Sequence, residues 1–257
     1  MKLFFRRYGE GRPLIILHGL FGQCDNWNTL AKRYSDNGFE VYTVDQRNHG
    51  LSPHNSEWNY TCMADDLMQL ISDEHIVKPI IMGHSMGGKT CMFFESKYSG
   101  IASALIISDI APRKYFSNNI EVLEALNSID LNQIQSRKEA EVVLEKFGLN
   151  FGTRQFLLKN LYRTETGETT FGWRFNLNVI SSNFNNVSEA VPNMRSETPV
   201  LFLKGESSDY ISSEDEIEIS DKFLNSRIEV IKGSGHWIHA EQPEEYFKRT
   251  FSFMENI

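Results

Sequence analysis

Short apolar runs alternate with amphipathic stretches over the first 110 residues. Leu14-Ile15-Ile16-Leu17 stops at His18-Gly19, residues 39–44 stop at Asp45, 79–82 stop at Gly83, and 104–107 stop just before Asp109. Runs of this length, bounded by glycine and polar residues, are the pattern of strands buried on both faces. Between them, apolar positions recur at helical spacing over roughly 27–36, 61–75 and 87–98, with Thr61 as the expected N-cap of the second helix and acids just inside it. Strand–helix alternation of this kind predicts a parallel sheet with crossover helices.

The rhythm changes at about residue 112. From there to 196 the signal is mostly helical: Ile120, Leu123, Leu126 and Ile129 fall on one helical face, and Ser136-Arg137-Lys138-Glu139 reads as a capping box opening the next helix. A strand then returns at 199–203, followed by a helix over 213–224, a strand at 227–231 and a final helix at 243–255 that opens on Pro243. The fold class expected is therefore α/β: one domain with its core in 1–111 and 197–257, interrupted by a helical insertion at about 112–196. No internal repeat or low-complexity tract is visible.

Charge narrows the partners. The 257 residues carry 26 Lys and Arg against 34 Asp and Glu, a net −8. That argues against a general nucleic-acid binder and against an anionic membrane surface. No apolar run approaches the roughly 20 residues of a spanning helix. The N-terminus has three apolar residues before Arg6-Arg7, too few for a secretion signal. Cys24, Cys62 and Cys91 are too scattered for a disulfide framework or a zinc site, so a reducing cytoplasm is expected. The insertion holds 10 basic and 9 acidic residues, so the net charge sits elsewhere. Seven acids and no lysine or arginine fall in 206–221, the pattern of a solvated helix with acids in its first turn.

The chemistry centres on Gly83-His84-Ser85-Met86-Gly87-Gly88, which follows a predicted strand and opens a predicted helix. This is a G-x-S-x-G nucleophile elbow in its required context. Serine needs a base to take its proton. Of seven histidines, His236 follows the last strand, where the base belongs in this architecture. His239 is expected to pack or cap, His49 and His18 to shape their loops, His84 to line the pocket, and His54 and His75 to lie on the surface. An oxyanion needs backbone donors; those expected are the N–H groups of Met86, next after the nucleophile, and Leu20, in the loop after the early strand. The acid is open on this reading. The usual slot after strand 199–203 holds Ser208, Asp209 comes one residue late, and Asp109 ends the preceding core strand within reach of the same imidazole.

The same stretch, Gly83 to Thr90, also satisfies the phosphate-loop pattern G-x-x-x-x-G-K-[ST]. A nucleotide-binding reading would use Lys89 and Thr90 but would leave His18-Gly19 and Gly235-His236 idle. Without that role, Lys89 is expected to be a partly exposed helix residue. A binding module, or carbon–carbon hydrolase or lyase chemistry on the same fold, are further alternatives.

Six motifs carry a resemblance: HGLFG (18–22), DQRNHGLSP (45–53), GHSMGGK (83–89), SDIAP (108–112), WRFN (173–176) and GSGHWIHAEQP (233–243). Together they resemble the α/β-hydrolase superfamily, most closely the YbfF-like bacterial esterases. The resemblance implies an α/β-hydrolase fold with a helical lid and a serine esterase that needs no cofactor. It implies Ser85 as nucleophile, His236 as base, Asp109 as acid and Ser208 as an extra polar group beside them. It further implies acyl esters or CoA thioesters as small-molecule substrates. Trp173 and Phe175 are expected to anchor the lid. Where the family has Gly-Gly-Asn-Ser-Pro-Tyr, this chain has Gly205-Glu206-Ser207-Ser208-Asp209-Tyr210, which adds two carboxylates near the expected site.

Overall fold

The structure is a computed structural model that describes residues 1–115, 120–164 and 171–257. In chain order the core begins with β1 (Phe5–Tyr8), β2 (Arg12–Leu17), α1 (Asn28–Ser35), β3 (Phe39–Val44), α2 (Tyr60–Asp73), β4 (Ile80–His84), α3 (Met86–Lys97) and β5 (Ala104–Ser108). The insertion follows, with α4 (Ile120–Asn127), α5 (Arg137–Lys146), α6 (Phe151–Leu158), β6 (Leu161–Arg163), β7 (Phe171–Trp173) and α7 (Leu177–Ser182). The core resumes with β8 (Val200–Gly205), α8 (Ser213–Lys222), β9 (Ser226–Ile231), α9 (Ile238–Glu241) and α10 (Pro243–Glu255).

Seven strands form one sheet in the order β1-β3-β2-β4-β5-β8-β9, parallel except for β1, which runs antiparallel to β3. The apolar runs are continuous because both faces of the sheet are covered. Alternate side chains feed two cores. Ile15, Leu17, Ile81, Leu105, Ile107 and Phe202 join a cluster with α2, α3 and the insertion, whereas Leu14, Ile16, Met82, Ala104, Ile106 and Leu203 meet α1 and α10 on the other face.

Two local expectations need correction, and the structure adds strands that no apolar run announces. The N-cap of α2 is Asn59, not Thr61: its side chain accepts the Cys62 N–H at 2.8 Å, and no acid lies in the first turn. Strand β1 carries no apolar run, because Phe-Arg-Arg-Tyr at a sheet edge needs only partial burial. The insertion is not purely helical, since β6 and β7 pair antiparallel through three residues each, too short for a period-two pattern to register. Ser136 does cap α5, its Oγ accepting the Glu139 N–H at 3.2 Å, but the expected box does not close: the Glu139 carboxylate takes the N–H of Gln135, one residue before the cap, at 2.9 Å.

The insertion docks through the WRFN motif. Trp173 stacks on Phe175 with ring centroids 5.1 Å apart, Phe175 meets Phe21 of the core at 4.9 Å, and the Asn176 N–H donates to the Asn48 carbonyl at 2.8 Å. Asn160 adds a bond to the Phe21 carbonyl at 2.8 Å.

Candidate active site

Ser85 sits at the carboxyl end of β4 with φ 52° and ψ −115°, a conformation that costs a non-glycine residue energy. The glycines on either side make the turn possible. A Cβ on Gly83 would lie 2.3 Å from the Gly87 carbonyl carbon, and one on Gly87 would lie 2.5 Å from the Leu17 carbonyl oxygen. The Ser85 N–H continues the ladder to the Ser108 carbonyl at 2.9 Å. Asp109 repeats the device one strand over, with φ 52° and its N–H on the Leu203 carbonyl at 2.8 Å.

His236, in the loop after β9, meets Asp109: Nδ1 lies 2.7 Å from Oδ2. The fully buried Asp109 carboxylate also accepts the Gly205 N–H on Oδ1 at 2.9 Å and the Ser208 hydroxyl on Oδ2. Three donors on a buried carboxylate stabilise its charge, and a donated Nδ1–H leaves Nε2 as the basic nitrogen of His236. Asp209, the neighbouring candidate, is exposed. Tyr210 stacks flat on the His236 ring, with centroids 3.8 Å apart and 17° between planes. Sequence reasoning gave Tyr210 no role, because a stacking partner leaves no spacing signal.

The early loop is braced by buried polar groups. His18 Nε2 accepts the Gln46 N–H at 3.0 Å, and His49 Nε2 accepts the Phe21 N–H at 3.2 Å. Gln46 links onward, its Nε2–H₂ donating to the His18 carbonyl and its Oε1 accepting the Thr90 hydroxyl, both at 2.7 Å. Burial lowers His18 to about 4 and His49 to about 3, so both are neutral. His84 donates Nε2–H to the His236 carbonyl at 2.8 Å; burial, then His239 and His236, push its pKa well below the usual range. His239 stacks on Trp27 at 4.2 Å, and burial lowers it to about 3. His54 and His75 are exposed.

Lys89 departs from expectation. It is fully buried, not partly exposed, and Nζ donates to the carbonyls of Pro112 at 2.8 Å, Arg113 at 2.5 Å and Glu189 at 2.8 Å. Burial lowers its pKa to about 7. With Lys89 held by backbone and Thr90 bonded to Gln46, neither side chain of the phosphate-loop pattern faces a ligand.

Ser85 and His236 line one cavity of about 250 Å³, roofed by Val122, Leu149, Phe156 and Leu157 of the insertion. Leu20, Ser85 and Met86 together line a second, smaller one. Among the described residues no group of three or more metal-ligating side chains is present, and no helix is long and apolar enough to cross a membrane.

Residues 12–243 match the family described as alpha/beta hydrolase fold. The chain is 36% identical over 256 residues to the sn-1-specific diacylglycerol lipase ABHD11 of Danio rerio, covering 96% of this chain and 80% of that protein. It is 35% identical over 235 residues to the esterase YbfF of Escherichia coli, covering 90% and 89%. A solved marine microorganism esterase superposes with a TM-score of 0.94 at 42% identity, covering 98% of this chain and 99% of that one.

Proposed function

The chain belongs to the α/β-hydrolase family, and from that premise we propose that it is a serine esterase working through an acyl-enzyme on Ser85, His236 and Asp109. The observation that carries this reading is the His236 Nδ1 to Asp109 Oδ2 bond of 2.7 Å, on an imidazole that shares a cavity with a serine on a strained elbow.

Ser85 Oγ attacks the acyl carbonyl as His236 Nε2 takes its proton. The negative oxygen is met by the N–H groups of Leu20 and Met86. As the tetrahedral intermediate collapses, the bond to the leaving oxygen breaks and His236 returns the proton to it, releasing the alcohol. Water, deprotonated by His236, then attacks the acyl-enzyme, and the proton goes back to Ser85 as the acid departs. Asp109 fixes the tautomer and stabilises the imidazolium. No cofactor enters these steps, and a thioester would follow the same course with a thiol leaving. Residues 112–196 act as the lid over the cavity. Three free thiols accord with a reducing compartment such as the cytoplasm.

The test is covalent. A fluorophosphonate probe should label Ser85, located by peptide mass spectrometry, and Ser85→Ala should lose both labelling and ester hydrolysis. Hydrolysis at the wild-type rate by Ser85→Ala would end the proposal.

A further inference from the structure

His236 stands on a loop at the edge of the sheet, after β9, whereas Ser85 stands at the end of β4, with β5 and β8 between them. The Asp109 bond to Nδ1 pins one end of the imidazole. A swing about that end would still carry Nε2 away from the serine, so alignment needs a second fixed point. His84 supplies it. This residue ends β4 and immediately precedes the nucleophile. Its Nε2 lies 2.8 Å from the carbonyl oxygen of His236 itself. One side chain therefore joins the elbow of the nucleophile to the backbone of the base.

The surroundings of His84 leave its ring little freedom. It is 6% exposed, and its centroid lies 4.7 Å from that of His236 and 4.6 Å from that of His239. A Cβ on Gly19 would lie 2.9 Å from His84 Nδ1, so the loop that carries Leu20 also rests on this ring. The sheet fixes the backbone beneath it: His84 is in register with Ser108, whose carbonyl takes the Ser85 N–H at 2.9 Å. Burial, then His239 and His236, keep the ring neutral, so it has a single N–H. A carbonyl can only accept, so that proton sits on Nε2. A neutral ring also sets no charge against the imidazolium that His236 becomes. We propose that His84 is a positioning residue: it ties the backbone of the base to the elbow and so sets the span that the Ser85 proton crosses. The proposal rests on the serine-esterase reading above.

Steady-state hydrolysis of 1-naphthyl acetate by the purified full chain tests it. His84→Phe keeps a ring in the site and removes the donor. It should lower kcat by ~10²-fold, the scale of loss from a misplacement of about 1 Å, and leave KM close to wild type. His84→Gln returns an amide N–H near the place of the Nε2–H and should recover most of that loss. A fluorophosphonate should still label Ser85 in His84→Phe, but slowly, because the serine is intact and only its alignment with His236 is lost. If His84→Phe fails to fold, His84→Asn, whose shorter amide cannot reach the carbonyl, carries the same expectation. Wild-type kcat in His84→Phe, a rise in KM alone, or a His84→Gln enzyme as slow as His84→Phe would overturn the role. Failure of the underlying reading looks different: no fluorophosphonate label on Ser85 of the wild type, and no loss of hydrolysis in Ser85→Ala.

Discussion

Asp109 Oδ2 receives two donors, the His236 Nδ1–H and the Ser208 hydroxyl. Ser208 occupies the slot after β8 where an acid is usual, and it hydrogen-bonds to the carboxylate that reaches the imidazole from the neighbouring strand. Asp209, one residue later, is exposed. The two aspartates therefore predict opposite outcomes. Asp109→Asn should lower kcat by about 10⁴-fold, the loss expected when a triad acid no longer fixes its histidine, whereas Asp209→Asn should leave kcat near wild type. A larger drop in Asp209→Asn, measured on one ester under saturating conditions, would reverse the assignment. Glu206, the other carboxylate of this loop, has a structural partner: it accepts the Gly233 N–H at 2.9 Å and ties down the loop that bears His236.

Helix α3 does more than carry the elbow. Lys89 holds the carbonyls of residues 112, 113 and 189, and Glu95 accepts the hydroxyls of Ser196 at 2.6 Å and Thr198 at 2.8 Å. Both buried side chains grip the segments where the insertion leaves and rejoins the core. An ammonium has three N–H donors, and all three acceptors are backbone. Lys89→Met keeps the stem but strands three carbonyls, so it should destabilise the fold by on the order of 3 kcal/mol, as buried acceptors without donors cost about 1–3 kcal/mol each. A urea midpoint equal to wild type would remove this role. Elsewhere the elements obey local rules. Glu214, Asp215 and Glu216 fill the first turn of α8, and Ser212 and Asp215 cap it reciprocally, so much of the acidic run at 206–221 is a helix start. Asp215 is the exception, buried against Arg113 at 2.9 Å.

For the whole molecule, several buried neutral histidines set an acid limit on stability. His18 is lowered to about 4, His49 to about 3 and His239 to about 3, each mainly by burial. Between those values and the ordinary 6.5, the unfolded chain binds more protons than the folded one, so stability rises with pH across that window and is lost as pH falls through it. By pH 5 each such histidine should remove about 2 kcal/mol relative to neutral pH. Urea unfolding at pH 7.5, 6 and 5 should show this fall, and His49→Gln should reduce it by one histidine's share, about 2 kcal/mol at pH 5. A stability constant from pH 7.5 to 5 would contradict the histidine account.

Every core strand but β1, most of the crossover helices and the elbow are legible in the sequence alone, because each depends on spacing along the chain. Continuous apolar runs, helical periodicity and glycines placed within a few residues all act locally. The sequence also places His236 after the last strand, by chain order alone. Spacing alone leaves the acid open between Asp109 and Asp209 and predicts a partly exposed Lys89. Those questions turn on which strand lies beside which. Only the tertiary order β4-β5-β8-β9 puts the end of β5 under the histidine loop, seats Tyr210 on the imidazole, and folds residues 112, 113 and 189 around one lysine. Partners 100 and 127 residues apart in the chain, Lys89 with the Glu189 carbonyl and Asp109 with His236, are chosen by sheet order and packing, and no local pattern encodes that choice.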